Sequence, residues 1–157
     1  LKALSKISLI VVFILMAACN SKSPSGQIGA MQKRVDAVER QVEVLYNQDF
    51  SYLVKEYQAL DTTVARKKDI KDEMELLQAY LQQFESQYDV IKNDAQISRK
   101  QLSDLQDDVK MHLYDSKTTS NYIKDEEKEL LKMEAKIKYF QEKFDAQKEV
   151  VKQLRKE

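Results

Sequence analysis

The sequence predicts an all-α protein: an elongated antiparallel three-helix bundle with coiled-coil-like packing. Three observations carry that reading. Pro24, Gly26 and Gly29 are the only Pro and Gly residues, so Ala30 to Glu157 lacks the residues on which tight turns and sheet-rich folds depend. Apolar side chains recur at alternating steps of four and three, the spacing that gathers them on one face of a helix. Two clusters of capping and turn residues divide these runs into three. At 157 residues the chain has the length of one domain. Its 26 Lys and Arg balance 26 Asp and Glu, which removes the concentrated positive field that nucleic-acid binding needs.

The first segment in order is residues 1–18. Lys2 and Lys6 flank the start, an apolar run follows from Leu9 to Ala18, and the small residues Ala17 and Ala18 stand immediately before Cys19, the layout of a secretory signal peptide. As a helix, Ile7 to Ala18 would span about 18 Å, short of the roughly 30 Å hydrocarbon core, which disfavours a transmembrane anchor. Leu15-Met16-Ala17-Ala18-Cys19 resembles the lipobox of bacterial lipoproteins, with Met16 departing from the commoner Leu. That resemblance implies cleavage by signal peptidase II before Cys19, a diacylglyceryl group on its sulfur, and often an acyl group on the new amino terminus. Read without the motif, Cys19 is an ordinary small residue ending a signal; yet the only Cys of the chain stands at the one position the motif requires. No disulfide can form within the chain. Two or three acyl chains meet the condition for stable membrane attachment.

Residues 19–27 read as a lipidated flexible tether, small and polar from Asn20 to Gln27. Asn20 after the cysteine resembles the outer-membrane sorting pattern in hosts with two membranes. The tether lacks the acidic cluster that resembles a surface-export signal in Bacteroidetes lipoproteins. The expected location is therefore the bacterial cell envelope, lipid-anchored, on the periplasm-facing leaflet of the outer membrane where there are two.

Residues 28–157 form the helical domain. Its first stripe is Met31, Val35, Val38, Val42 and Leu45, and a second set, Tyr46, Phe50, Leu53, Tyr57, Leu60 and Val64, resumes it after a one-residue phase shift. Such a shift makes the stripe drift around the helix or bends the helix, most easily at Asn47-Gln48-Asp49. The middle stripe runs through Ile70, Met74, Leu77, Leu81, Phe84, Tyr88, Ile91, Ala95, Ser98, Leu102, Leu105, Val109 and His112, about six heptads with only Ser98 and His112 polar. The last is Ile123, Leu130, Met133, Ile137, Phe140, Phe144, Val151 and Leu154, with Glu126 and Gln147 at the two polar steps. Asp61-Thr62-Thr63 with the charge run Arg66 to Asp69, and Asp115 to Asn121, read as the turns. The helices then cover about 28 to 60, 64 to 114 and 121 to 156, unless the first break falls at 47 to 51. At roughly 75 Å the middle helix would outreach its neighbours and leave one end of its stripe uncovered for a protein partner or a second copy. Short connections favour an up-down-up arrangement.

Side-chain chemistry argues against an enzyme. His112 is the only histidine, no Ser-His-Asp or Cys-His set can be assembled with Cys19 acylated, and Ala30 onward has no glycine for a phosphate-cradling loop. Asp108 four residues before His112 does not complete a metal site, and His112 reads as a helix-end residue at the edge of the core. No metal, cofactor, nucleic acid or small-molecule substrate is expected. Tyr46, Tyr57 and Tyr88 read as boundary packing residues rather than a glycan platform. Lys124 to Glu129 reads as a solvated helix face. Ala95 and Ser98, the consecutive small residues of the middle stripe, mark either a close approach of another helix or of a second copy, or a poorly packed or solvent-open stretch.

The pattern resembles small helical lipoproteins of the Bacteroidetes type, on Cys19-Asn20-Ser21, Val44-Leu45-Tyr46-Asn47 and Gln101-Leu102-Ser103-Asp104-Leu105. A murein-linked spacer is a poorer match, because the chain ends Arg155-Lys156-Glu157 and the body folds back. The expected function is a non-catalytic envelope lipoprotein whose bundle serves as scaffold or interaction module. The alternative is a periplasmic chaperone-like or cargo-binding protein.

Overall fold

A computed structural model describes residues 23–64 and 68–155. The signal segment, Cys19 and the first half of the tether lie outside the described residues. Every described element is helical, and no strand occurs among the described residues.

The first helix, α1, spans Pro24–Val44 and starts four residues before the expected boundary. Ser23 caps it, its hydroxyl accepting from the Gly26 N–H at 3.3 Å, and Pro24 occupies the first helical position, where its missing N–H costs nothing. The end of the expected tether, Pro24 to Gln27, is thus helix, and Ile28 is already fully buried.

After α1 the chain neither breaks nor turns at 47–51. It continues as a π-helical segment, Leu45–Phe50, into α2, Ser51–Val64. The Ser51 N–H and hydroxyl both reach back to the Tyr46 carbonyl, the hydroxyl at 2.8 Å. One extra residue in a π turn supplies the one-residue phase shift, so Leu45 and Phe50 face the core five positions apart. The backbone stays helical through Asp61, Thr62 and Thr63 to Val64, so those residues do not cap the next helix. Without Gly or Pro, nothing in that triplet forces a helix to end.

Helix α3 spans Lys68–Lys110 and α4 spans Ser116–Leu154, with 43 and 39 residues. At about 64 Å, α3 is close in length to the α1–α2 rod and to α4, so it does not outreach both neighbours as expected; the rods are instead offset, with Arg155 at the end of α4 meeting Glu56 while α2 continues to Val64. The link between α3 and α4 lies at Met111–Asp115, earlier than the expected 115–121. The Leu113 N–H reaches the Asp108 carbonyl at 3.0 Å and the His112 N–H reaches that of Val109 at 3.2 Å. With His112 at φ 55, this is a Schellman end with a histidine in the left-handed position. Asp115 then caps α4, its Oδ1 accepting from the Thr118 N–H at 2.7 Å, which also holds its carboxyl below the ordinary range. The turn-forming residues Ser116 to Asn121 are absorbed into the first turns of α4.

Cross-links establish the up-down-up order. Arg99 pairs with Asp36, Lys92 with Glu43, and Tyr46 stacks on Tyr88, so α1 and α3 are antiparallel. The Tyr139 hydroxyl meets Gln83 and Lys136 approaches Asp94, so α3 and α4 are antiparallel. Arg34 to Glu134, Asp49 to Lys148 and Glu56 to Arg155 run in the same order along both chains, so α4 lies parallel to the α1–α2 rod. Between the three runs a single core, from Ile28 to Val151, follows the predicted stripes.

Candidate functional site

Four features stand out from a regular bundle: an aromatic layer, a polar layer, a shallow groove and an apolar tip. In the aromatic layer Phe84 meets Phe140 and Phe144 edge-on, with ring centroids 5.0 Å apart in both pairs, and lies 5.4 Å from Phe50. Tyr46 and Tyr88 stack at 4.3 Å on its margin, half-buried, in the boundary packing role expected of them. Burial raises the Tyr88 hydroxyl above its ordinary pKa, while Lys92 donates to it at 3.3 Å. The four phenylalanines of this layer belong to the buried core.

The polar layer surrounds Ala95 and Ser98. Both are buried, at 0% and 4% exposure, so the stretch is not solvent-open, although Ser98 lines the groove between α3 and α4. Ser98 lies beside the carboxylate of Glu126 on α4, whose Oε2 is buried without a hydrogen-bond partner. Burial pushes the Glu126 carboxyl above the ordinary range. Its neighbours Lys124, Asp125, Glu127, Lys128 and Glu129 are exposed as expected, but Glu126 turns inward from that run. Further along α4 the Gln147 Oε1 is likewise buried and unpartnered. The half-buried Arg34 closes on Glu134 through two bonds of 2.9 and 2.7 Å, which raise the arginine further, and reaches Glu127 at 3.6 Å.

A groove between α3 and α4 is lined by Asp94, Ile97, Gln101, Glu129, Lys132 and Lys136, and its cavity is about 190 Å³. That is below the usual size of a small-molecule pocket, whereas the adjoining, more open groove over Gln83, Gln87, Ala135 and Tyr139 is about 590 Å³. Among the described residues no group of three or more His, Cys, Asp or Glu could hold a metal, and no helix is long and apolar enough to cross a membrane. His112 is exposed in the turn rather than at the core edge, and Asp108 interacts with the Tyr114 hydroxyl.

The tip is the feature that the sequence did not reveal. Met111 and Leu113 are 60% and 58% exposed, and Tyr114 and Tyr122 stand beside them with their rings in edge contact at 5.2 Å. These residues fall off the stripe, and with the turn expected at 115–121 the first three read as the last turn of a helix. The earlier break at Lys110 turns them outward. Because α1 runs antiparallel to α3 and parallel to α4, the tip shares its end of the bundle with Ser23, the first described residue of the chain. Cys19, four residues before Ser23, is outside the described residues. In comparisons with known proteins, the chain matches no family model, no curated protein and no solved structure.

Proposed function

We propose that this chain is a lipid-anchored protein of the bacterial envelope whose three-helix bundle is a non-catalytic scaffold or interaction module. The observation that carries the reading is Cys19, the only cysteine, standing directly after Leu15-Met16-Ala17-Ala18. The bundle supports it in a second way. Its first cap, Ser23, follows Cys19 so closely that the helices stand next to the membrane rather than on a long stalk. The packed aromatic layer suits a rod that presents outer faces to other proteins. In a host with two membranes, Asn20 favours the periplasm-facing leaflet of the outer membrane.

Metabolic labelling with a palmitate analogue tests the anchor. The wild-type chain is expected to take up label and Cys19→Ser to lose it. An unlabelled wild type ends the lipoprotein reading. Cross-linking in intact cells, followed by identification of captured proteins, tests the interaction role.

A further inference from the structure

We propose that the α3–α4 turn is a second membrane contact, in which Met111, Leu113, Tyr114 and Tyr122 rest in the interface of the bilayer that holds Cys19. The inference rests on the lipid-anchor reading for its geometry. An acylated Cys19 lies at the headgroup level, and four residue steps to Ser23 span at most about 14 Å. Ser23 begins α1 at the same end of the bundle as the turn, and neighbouring helices lie about 8–10 Å apart. The turn is therefore within reach of the lipid surface without any change in the bundle.

Its composition suits that surface. Met111 and Leu113 are among the most exposed apolar side chains described, and the two tyrosines pair an apolar ring with a polar hydroxyl, the combination favoured at membrane interfaces. The other exposed apolar and aromatic residues, among them Val44, Tyr52, Leu76, Ile97, Leu131 and Tyr139, are spread over the outer faces of the rods. The Schellman end fixes the turn backbone, so the apolar side chains are presented with little ordering left to occur. Charge gives no comparable pull: Lys110 is paired with Asp107 at 3.0 Å, and Asp108 and Asp115 offset the charge of Lys117. Contact with lipid is therefore apolar and does not require anionic headgroups.

The chain contains no Trp, so Leu113→Trp is a sole reporter. Full-length lipidated protein carrying it is reconstituted in phosphatidylcholine vesicles with brominated acyl chains, beside Gln58→Trp at the far, exposed end of the rod. The expected result is a blue shift and loss of emission for Leu113→Trp and neither change for Gln58→Trp. Tyr122→Trp repeats the measurement from α4. Unshifted, unquenched emission at both tip positions, in protein that floats with vesicles and carries the palmitate label, overturns the second contact and leaves the anchor intact. If the chain proves unlabelled, adding the same vesicles to it still decides: quenching at the tip supports lipid contact by the turn alone, and its absence ends the proposal.

Discussion

The bundle is held by different means in its two halves. Around the π segment, Phe50, Phe84, Phe140 and Phe144 fill the axis with large rings. Nearer the tip, the middle helix contributes Ala95 and Ser98, α4 contributes a half-buried carboxylate, and Arg34 and Arg99 tie the rods from the margin. Apolar area supplies most of the free energy of folding, whereas ion pairs and buried polar groups contribute little net stability but restrict which register is acceptable. The aromatic half thus supplies cohesion, and the polar half opposes sliding of one stripe along another.

Removing the central ring should give the largest effect. Phe84→Ala deletes a fully buried side chain that touches Phe50, Tyr88, Phe140 and Phe144, and is expected to cost about 3–5 kcal/mol by urea denaturation. A loss under about 1 kcal/mol would mean that cohesion does not reside there. In the polar half, Ala95→Leu with Ser98→Leu should cost about 1–3 kcal/mol through overpacking, because both residues are buried. A double variant that melts at or above the wild-type temperature would show that the rods can part at this level.

The smallest effect has the opposite sign. Because burial raises the Glu126 carboxyl in the folded state, the charged form is a cost that grows as pH rises from the ordinary carboxylate range through the raised value. Acidification back through that window relieves it by protonating the folded chain first. Glu126→Gln is therefore expected to stabilise by about 1 kcal/mol at neutral pH, with the gain shrinking as pH falls through the same window. Thermal melts of both proteins across that range check it; a variant less stable at neutral pH would assign Glu126 a favourable charge contact.

Much of the fold was legible as periodicity. All three stripes are the faces that pack, including the one-residue shift between Leu45 and Phe50, although the shift pointed to a bend or break and proved to be a π turn. The boundaries were less legible, because Ser, Thr, Asp and Asn cap helices and also sit inside them. Asp115 is a cap while Asp61 and Thr62 are interior, a choice made by where the neighbouring rods end. Misplacing the second turn hid the apolar tip, since Met111, Leu113 and Tyr114 look like ordinary helix residues until the chain reverses before them.

By itself the sequence determined the helical class and the faces that meet, because period and breaker content are local properties of the chain. Only the tertiary structure decided that the rods match in length, that Glu126 turns inward beside Ser98, and that the turn emerges at the same end of the bundle as Ser23. Those outcomes depend on register between segments distant along the chain. Register is selected by fitting all three surfaces together, from Arg34 against Glu134 to Phe84 among its three partner phenylalanines, and no single stripe contains that information.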